Sequence, residues 1–185
     1  MKSEKKMRKS TQVALGGLAS SLCLVLMFMT GLFPFATYAL PAMAGIILII
    51  IVIENGPSTA WLVYTAVSLL SMFVVPDKEA ALIFIAFFGY YPILKQSIEK
   101  HIKFKPLQLV IKFIIFNTAI ILMYTVLIRF IGATEAIMEM GAMGRAGEIL
   151  LLVMGNITFA IYDFALTLLI TVYFKVLRKK IIKKV

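Results

Sequence analysis

The chain has little of what enzymes and metal proteins use: one cysteine, one histidine and nine acidic residues in 185. A single cysteine excludes a disulfide within the chain. Cys23 falls inside a long apolar stretch, where it reads as a small buried thiol rather than a reactive or metal-binding one. The lone histidine, His101, lies among lysines and reads as a solvated side chain. There is no HExxH pair, no set of paired glutamates with a distant histidine, no GxS motif beside a usable histidine and no GxxxxGKS/T phosphate loop. The expectation is a protein that is not an enzyme, holds no cofactor or metal, and draws any energy it needs from elsewhere.

Charge is missing over long distances. No charged residue occurs between Ser10 and Ile53. As one helix those 44 residues would reach about 66 Å, twice the roughly 30 Å hydrocarbon core of a bilayer, so the run must fold back. With 62% hydrophobic residues and a mean hydropathy of +0.99, the chain is outside the range of soluble globular domains.

The base that is present is gathered. Sixteen of the nineteen Lys and Arg residues fall in three clusters: Lys2, Lys5, Lys6, Arg8 and Lys9; Lys95, Lys100, Lys103, Lys105 and Lys112; and Lys175, Arg178, Lys179, Lys180, Lys183 and Lys184. Basic loops stay on the cytoplasmic side of a bilayer. The net charge of +10 therefore marks a membrane face, and no nucleic-acid partner is expected.

Turn residues divide the apolar sequence. Pro34 and Pro41 break the first run, Gly56-Pro57 ends the next, and Asp77 after Pro76 caps another. Six spans result, near 11–33, 39–54, 57–75, 79–94, 107–130 and 148–174, with Lys112 snorkelling to the inner face. The first is longer than a signal-peptide core of roughly 7–15 residues and reads as an uncleaved anchor. The expected organisation is a basic cytoplasmic N-terminus (1–10), one six-helix transmembrane domain (11–174) and a basic cytoplasmic tail (175–185). The fold class is all-α integral membrane, with both termini cytoplasmic, in the plasma membrane of a prokaryote.

Several features carry candidate function. Gly16/Ser20 and Gly17/Ser21 form overlapping small-xxx-small pairs on the first span. Such a stripe lets another helix approach closely, either within the same molecule or from a different membrane subunit. Leucines at Gly16 and Gly17 together are expected to leave the fold intact and to block docking. Glu54 and Asn55 sit where a side chain caps the next helix, with partner contact as the alternative. Asp163 is the only acid well inside a span, and a carboxylate there faces the protein interior or water. Its readings are a structural hydrogen bond to a Ser, Thr or Tyr of a neighbouring helix, or a functional role. Asn156, two turns nearer the outside on the same face, is the better candidate for a ligand contact, and Asn117 packs across to another helix. The 132–147 connection, with four glycines, Glu135, Glu139, Met138, Met140 and Met143, reads as a lid or as an interfacial loop. A metal site there is disfavoured, because thioethers and carboxylates suit different ions.

The stripe of Ala14, Gly16, Gly17, Ser20 and Ser21, the six short spans, and the stretch from Pro34 through Pro41-Ala42-Met43-Ala44-Gly45 to Gly56-Pro57 together resemble the substrate-binding (S) components of energy-coupling factor (ECF) transporters. In this chain glycine and serine replace the family's usual alanines. The resemblance implies a membrane binder that captures a vitamin or other micronutrient from outside. It would work with a separate membrane coupling subunit and two ABC ATPases, docking through the stripe. The ligand region expected on that basis is Phe35, Tyr38, Tyr124, Arg129, Glu148 and Asn156, all in the outer third. Arg129 would pair with an anionic group or else snorkel at the rim. The competing reading is a small multi-span scaffold of the cell envelope, resembling the rod-shape protein MreD, with no small-molecule ligand.

Overall fold

A computed structural model describes residues 9–130 and 144–177. Every regular element among them is helical: α1 (Lys9–Phe28), α2 (Ala39–Asn55), α3 (Pro57–Val74), α4 (Lys78–Ile83), α5 (Tyr91–His101), α6 (Lys105–Phe130) and α7 (Arg145–Val172). Short 3-10 turns lie at Met29–Gly31 and Pro34–Ala36, and π-helical turns at Phe84–Phe88 and Tyr173–Leu177. Five segments are long and apolar enough to cross a membrane, by length and composition: Lys9–Gly31, Pro57–Val74, Lys78–His101, Lys105–Val126 and Ile149–Lys175. The chain is accordingly a multi-pass membrane protein. The sixth expected span, α2, is apolar but has 17 residues, at the lower limit for a crossing.

The chain forms two compact units, Met1–Val110 and Ile111–Val185. In the first, α1, α2 and α3 pack against one another pairwise, and the α4–α5 segment lies on α2 and α3. Small residues make this close packing feasible. Gly16, Ala19 and Cys23 line the buried face of α1 at helical spacing, as Ala44, Gly45 and Leu48 do on α2 and Ala60, Val63 and Val67 on α3. Cys23 is fully buried, and its thiol donates to the Ala44 carbonyl at 3.5 Å.

Helix ends follow from local chemistry. Asp77 accepts from the Ala80 amide at 3.0 Å and so caps α4, as its position after Pro76 predicts. Lys78 closes the other side of the same turn, donating to the Met72 and Val75 carbonyls at the end of α3. The α2–α3 turn differs from expectation. Asn55 does not cap α3 with its side chain, since its Oδ1 accepts no hydrogen bond among the described residues. Gly56 holds that place at φ +86°, a left-handed conformation that glycine adopts without steric cost, and its amide closes α2 on Val52. Asn55 turns the other way and donates to the Gln12 carbonyl of α1.

The spans read from the sequence leave the basic 95–105 segment outside any helix, but residues 95–101 are helical. Pro92 falls in the first turn of α5, where a missing N–H is harmless, and so extends the helix rather than ending it. Before it lies the π-turn. Gly89 donates to Phe84 at 2.8 Å, the ladder skips a partner, and the Ile85 carbonyl accepts from the Tyr64 hydroxyl at 2.8 Å.

The second unit is built on α6 and α7. They meet through long side chains at Lys112–Asp163, Phe116–Phe159 and Asn117–Asn156. Residue numbers rise along one helix as they fall along the other, so the pairing is antiparallel.

Candidate functional site

The polar residues inside the second unit are spent on each other. Lys112 is 5% exposed, and its ammonium lies 3.2 and 3.3 Å from the two carboxylate oxygens of the half-buried Asp163. This corrects the expectation that Lys112 snorkels to the inner face. It also gives Asp163 a cation as a partner. An ammonium has more to gain from a carboxylate within the protein than from extending along an apolar surface. About one and a half turns further along α6, Asn117 and Asn156 exchange two side-chain hydrogen bonds, at 2.8 and 3.0 Å. Each amide also donates to its own helix, Asn117 to Phe113 and Asn156 to Leu152.

Aromatic rings separate the two polar pairs. Phe159 stacks on Phe116 with centroids 4.7 Å apart and meets Phe113 edge-on at 4.9 Å. The Phe116 ring lies against α7 at Gly155, where a Cβ would sit in ordinary contact with it at 3.6 Å. Beside this seam is a groove of about 400 Å³ lined by Phe113, Leu152, Val153, Asn156, Ile157 and Ala160. The seam is an ion pair and an amide pair in an apolar setting, with no nucleophile–base couple. Among the described residues, no three His, Cys, Asp or Glu side chains come together.

The amide pair gives a measurable expectation. Asn156→Leu leaves the Asn117 amide without its cross-helix partner and should cost about 1 kcal/mol. The double substitution to leucine should cost less than the two single ones added together, as judged by denaturation in detergent micelles. Strict additivity would mean that the two amides are not coupled.

The first unit divides the small-residue stripe in two. Gly16 is buried, and a Cβ on it would touch Val63 at 3.4 Å, so the Gly16/Ser20 side of α1 packs towards α3. Ala14, Gly17 and Ser21 are exposed, and a Cβ on Gly17 would meet nothing within 4 Å. The Ser20 and Ser21 hydroxyls both turn back to the helix, onto the Gly16 and Gly17 carbonyls. A groove of about 450 Å³ runs along α1 and α3, with Lys9 and Gln12 at one end, Gly16, Gly17, Ser20 and Thr59 along it, and Leu62, Val63 and Ala66 as its apolar wall.

The other expected ligand residues are distributed between the units. In the first, Phe35 is 88% exposed and packs edge-on against Phe33 at 5.8 Å. Tyr38 donates its hydroxyl to Glu79, and the neighbouring Thr37 donates to Asp77 at 2.8 Å. Gly31 lies against the Pro76 ring, where a Cβ would approach to 2.9 Å. The α1–α2 connection is thereby fastened to the α3–α4 turn. In the second unit, Tyr124 is half-buried on α6, and Arg129 is exposed in its last turn. Asn156 is held by Asn117. The side chain of Glu148, residues 132–143 of the suggested lid, and the basic residues before Lys9 and after Leu177 lie outside the described residues.

Lys112 is the residue that sequence reasoning assigned elsewhere. A signal for it was present: in two antiparallel spans, a lysine early in one faces a carboxylate late in the other. Comparison with family models, with curated proteins and with solved structures finds no match.

Proposed function

We propose that the chain is the substrate-binding membrane component of an ECF-type ABC importer. On this reading it crosses the membrane six times with both termini cytoplasmic. It takes a vitamin or other micronutrient from outside and docks on a separate coupling subunit that carries two ATPases. The observation that carries the reading is the exposed Ala14–Gly17–Ser21 stripe on α1, three small residues of which Gly17 has open space where a Cβ would be. Inside a bilayer apolar burial gives little drive for association, so a surface cleared of side chains favours close helix–helix contact.

Two further contacts support the topology. The Tyr38–Glu79 and Thr37–Asp77 bonds join two connections that six spans place on the outer side. The Asn55–Gln12 bond joins the α2–α3 turn to the start of α1, which six spans place on the inner side.

The test is co-purification of the full-length tagged chain from its native membranes in mild detergent, with mass spectrometry of what elutes. A multi-span coupling protein with two ATPases is expected. Gly17→Leu with Ser21→Leu should reduce that recovery at least tenfold and leave the melting temperature of the chain unchanged. Gly16 is kept as it is, because a leucine there would collide with Val63 and confuse docking with folding. Undiminished recovery by this variant would rule out the stripe as the docking face.

One observation favours the scaffold reading: the Asn156 amide, the strongest ligand candidate, is already occupied by Asn117. Cell-envelope proteins in place of ATPases in the eluate would establish that alternative.

A further inference from the structure

Between two candidate membrane spans, Lys78–His101 and Lys105–Val126, the chain turns in three residues, Ile102, Lys103 and Phe104. So short a connection holds its side chains at the membrane boundary. Phe104 is 65% exposed, with Lys103 and Lys105 beside it and Lys100 one turn back, all exposed. The nearby acid does not offset them. Glu99 is paired at 2.8 Å with Lys95, which is completely buried, so that one charge of each sign cancels within the helix. Among the described residues no ion pair engages Lys100, Lys103 or Lys105. The turn is fixed by Gln108, whose side chain donates to the Ile102 carbonyl, and by the Gln108 amide, which donates to Phe104.

We infer that this turn is a docking site for an anionic phospholipid. Phe104 enters the interface, and Lys100, Lys103 and Lys105 hold the phosphate-bearing headgroup. Aromatic rings settle at the headgroup level, and each lysine near an anionic leaflet contributes attraction on the order of a fivefold change in binding. A protein partner would be expected to need shape complementarity. The turn instead offers one exposed ring among unpaired cations, which matches a lipid surface. The inference stands independently of the transport reading.

The full-length protein carrying Trp61→Phe and Phe104→Trp has a single indole, located at the turn. It is reconstituted in phosphatidylcholine bilayers with a minority of phosphatidylglycerol, and either one lipid or the other is brominated. Quenching per brominated lipid is expected to be on the order of fivefold greater for phosphatidylglycerol. That preference should disappear in the same protein with Lys100, Lys103 and Lys105 changed to Gln. These positions are exposed, and if the triple variant does not fold, Lys103→Gln alone is expected to reduce the preference. Equal quenching by both lipids, no quenching by either, or a preference undiminished by lysine replacement would overturn the inference. So would its abolition by inorganic phosphate at matched ionic strength, which would assign the site to a soluble anion.

Discussion

Asp163→Leu is expected to destabilise the protein by about 3 kcal/mol, because it leaves the Lys112 ammonium buried without its carboxylate. The estimate sits at the low end of the range for broken buried pairs, since Asp163 retains partial exposure and Lys112 does not. Replacing both residues by leucine removes the two charges together and should be close to neutral. The contrast between single and double variants, read from unfolding in detergent micelles, is the decisive quantity. If the double variant is as unstable as the single one, the two residues are not acting as a pair. Insertion is a second readout: an unpaired lysine so deep in a span should lower the membrane-integrated yield of the single variant but not of the double.

The second large effect is expected at Gly89. A methyl group there would lie 2.6 Å from the ring of Tyr64 and 2.9 Å from that of Phe84. The Tyr64 ring has little freedom to retreat. Its hydroxyl is bonded to Ile85, and it touches Trp61, Phe84 and Tyr90 at centroid distances of 5.5, 6.2 and 6.1 Å. Gly89→Ala should therefore cost about 1–3 kcal/mol, as overpacking of a filled site does. Tyr64→Ala in the same chain should absorb part of that cost, giving a double variant more stable than the sum of its parts. A melting temperature unchanged by Gly89→Ala would show that the ring moves aside freely.

Much of this architecture was legible because punctuation in a membrane sequence is sparse and strong. Pro41, Gly56-Pro57 and Pro76-Asp77 stand near the helix boundaries they predict, since a break in hydrogen bonding has to be placed where something else satisfies the backbone. The fourth span does not stop near 94 as expected, because Pro92 falls in the first turn of a helix, where proline is as compatible as it is beyond a helix end. The expected cap at Asn55 failed for a related reason: a glycine able to reach positive φ closes the turn without that side chain.

The candidate site was less legible. Lys112 and Asp163 are fifty-one residues apart in sequence, and each is ambiguous alone. Only the relative rotation and depth of α6 and α7 make them a pair. The stripe on α1 was readable as composition, but not as two faces. Which glycine packs and which is exposed depends on where α3 lies.

The π-turn at Phe84–Phe88 has a consequence for how this chain tolerates change. It accommodates one residue more than an α-helix of the same rise. Deleting any one residue there would let the helix close its regular ladder with its two flanks still in phase, whereas a deletion in the regular helix on either side would rotate everything beyond by about 100° relative to everything before. Lys95 would then swing away from its buried position, taking the charge of Glu99 with it. Between Ala80 and Lys95 the fold thus constrains the number of residues more tightly than their identity. A substitution alters one contact, whereas an insertion or deletion that the π-turn does not absorb changes the phase of the whole inner end of the segment.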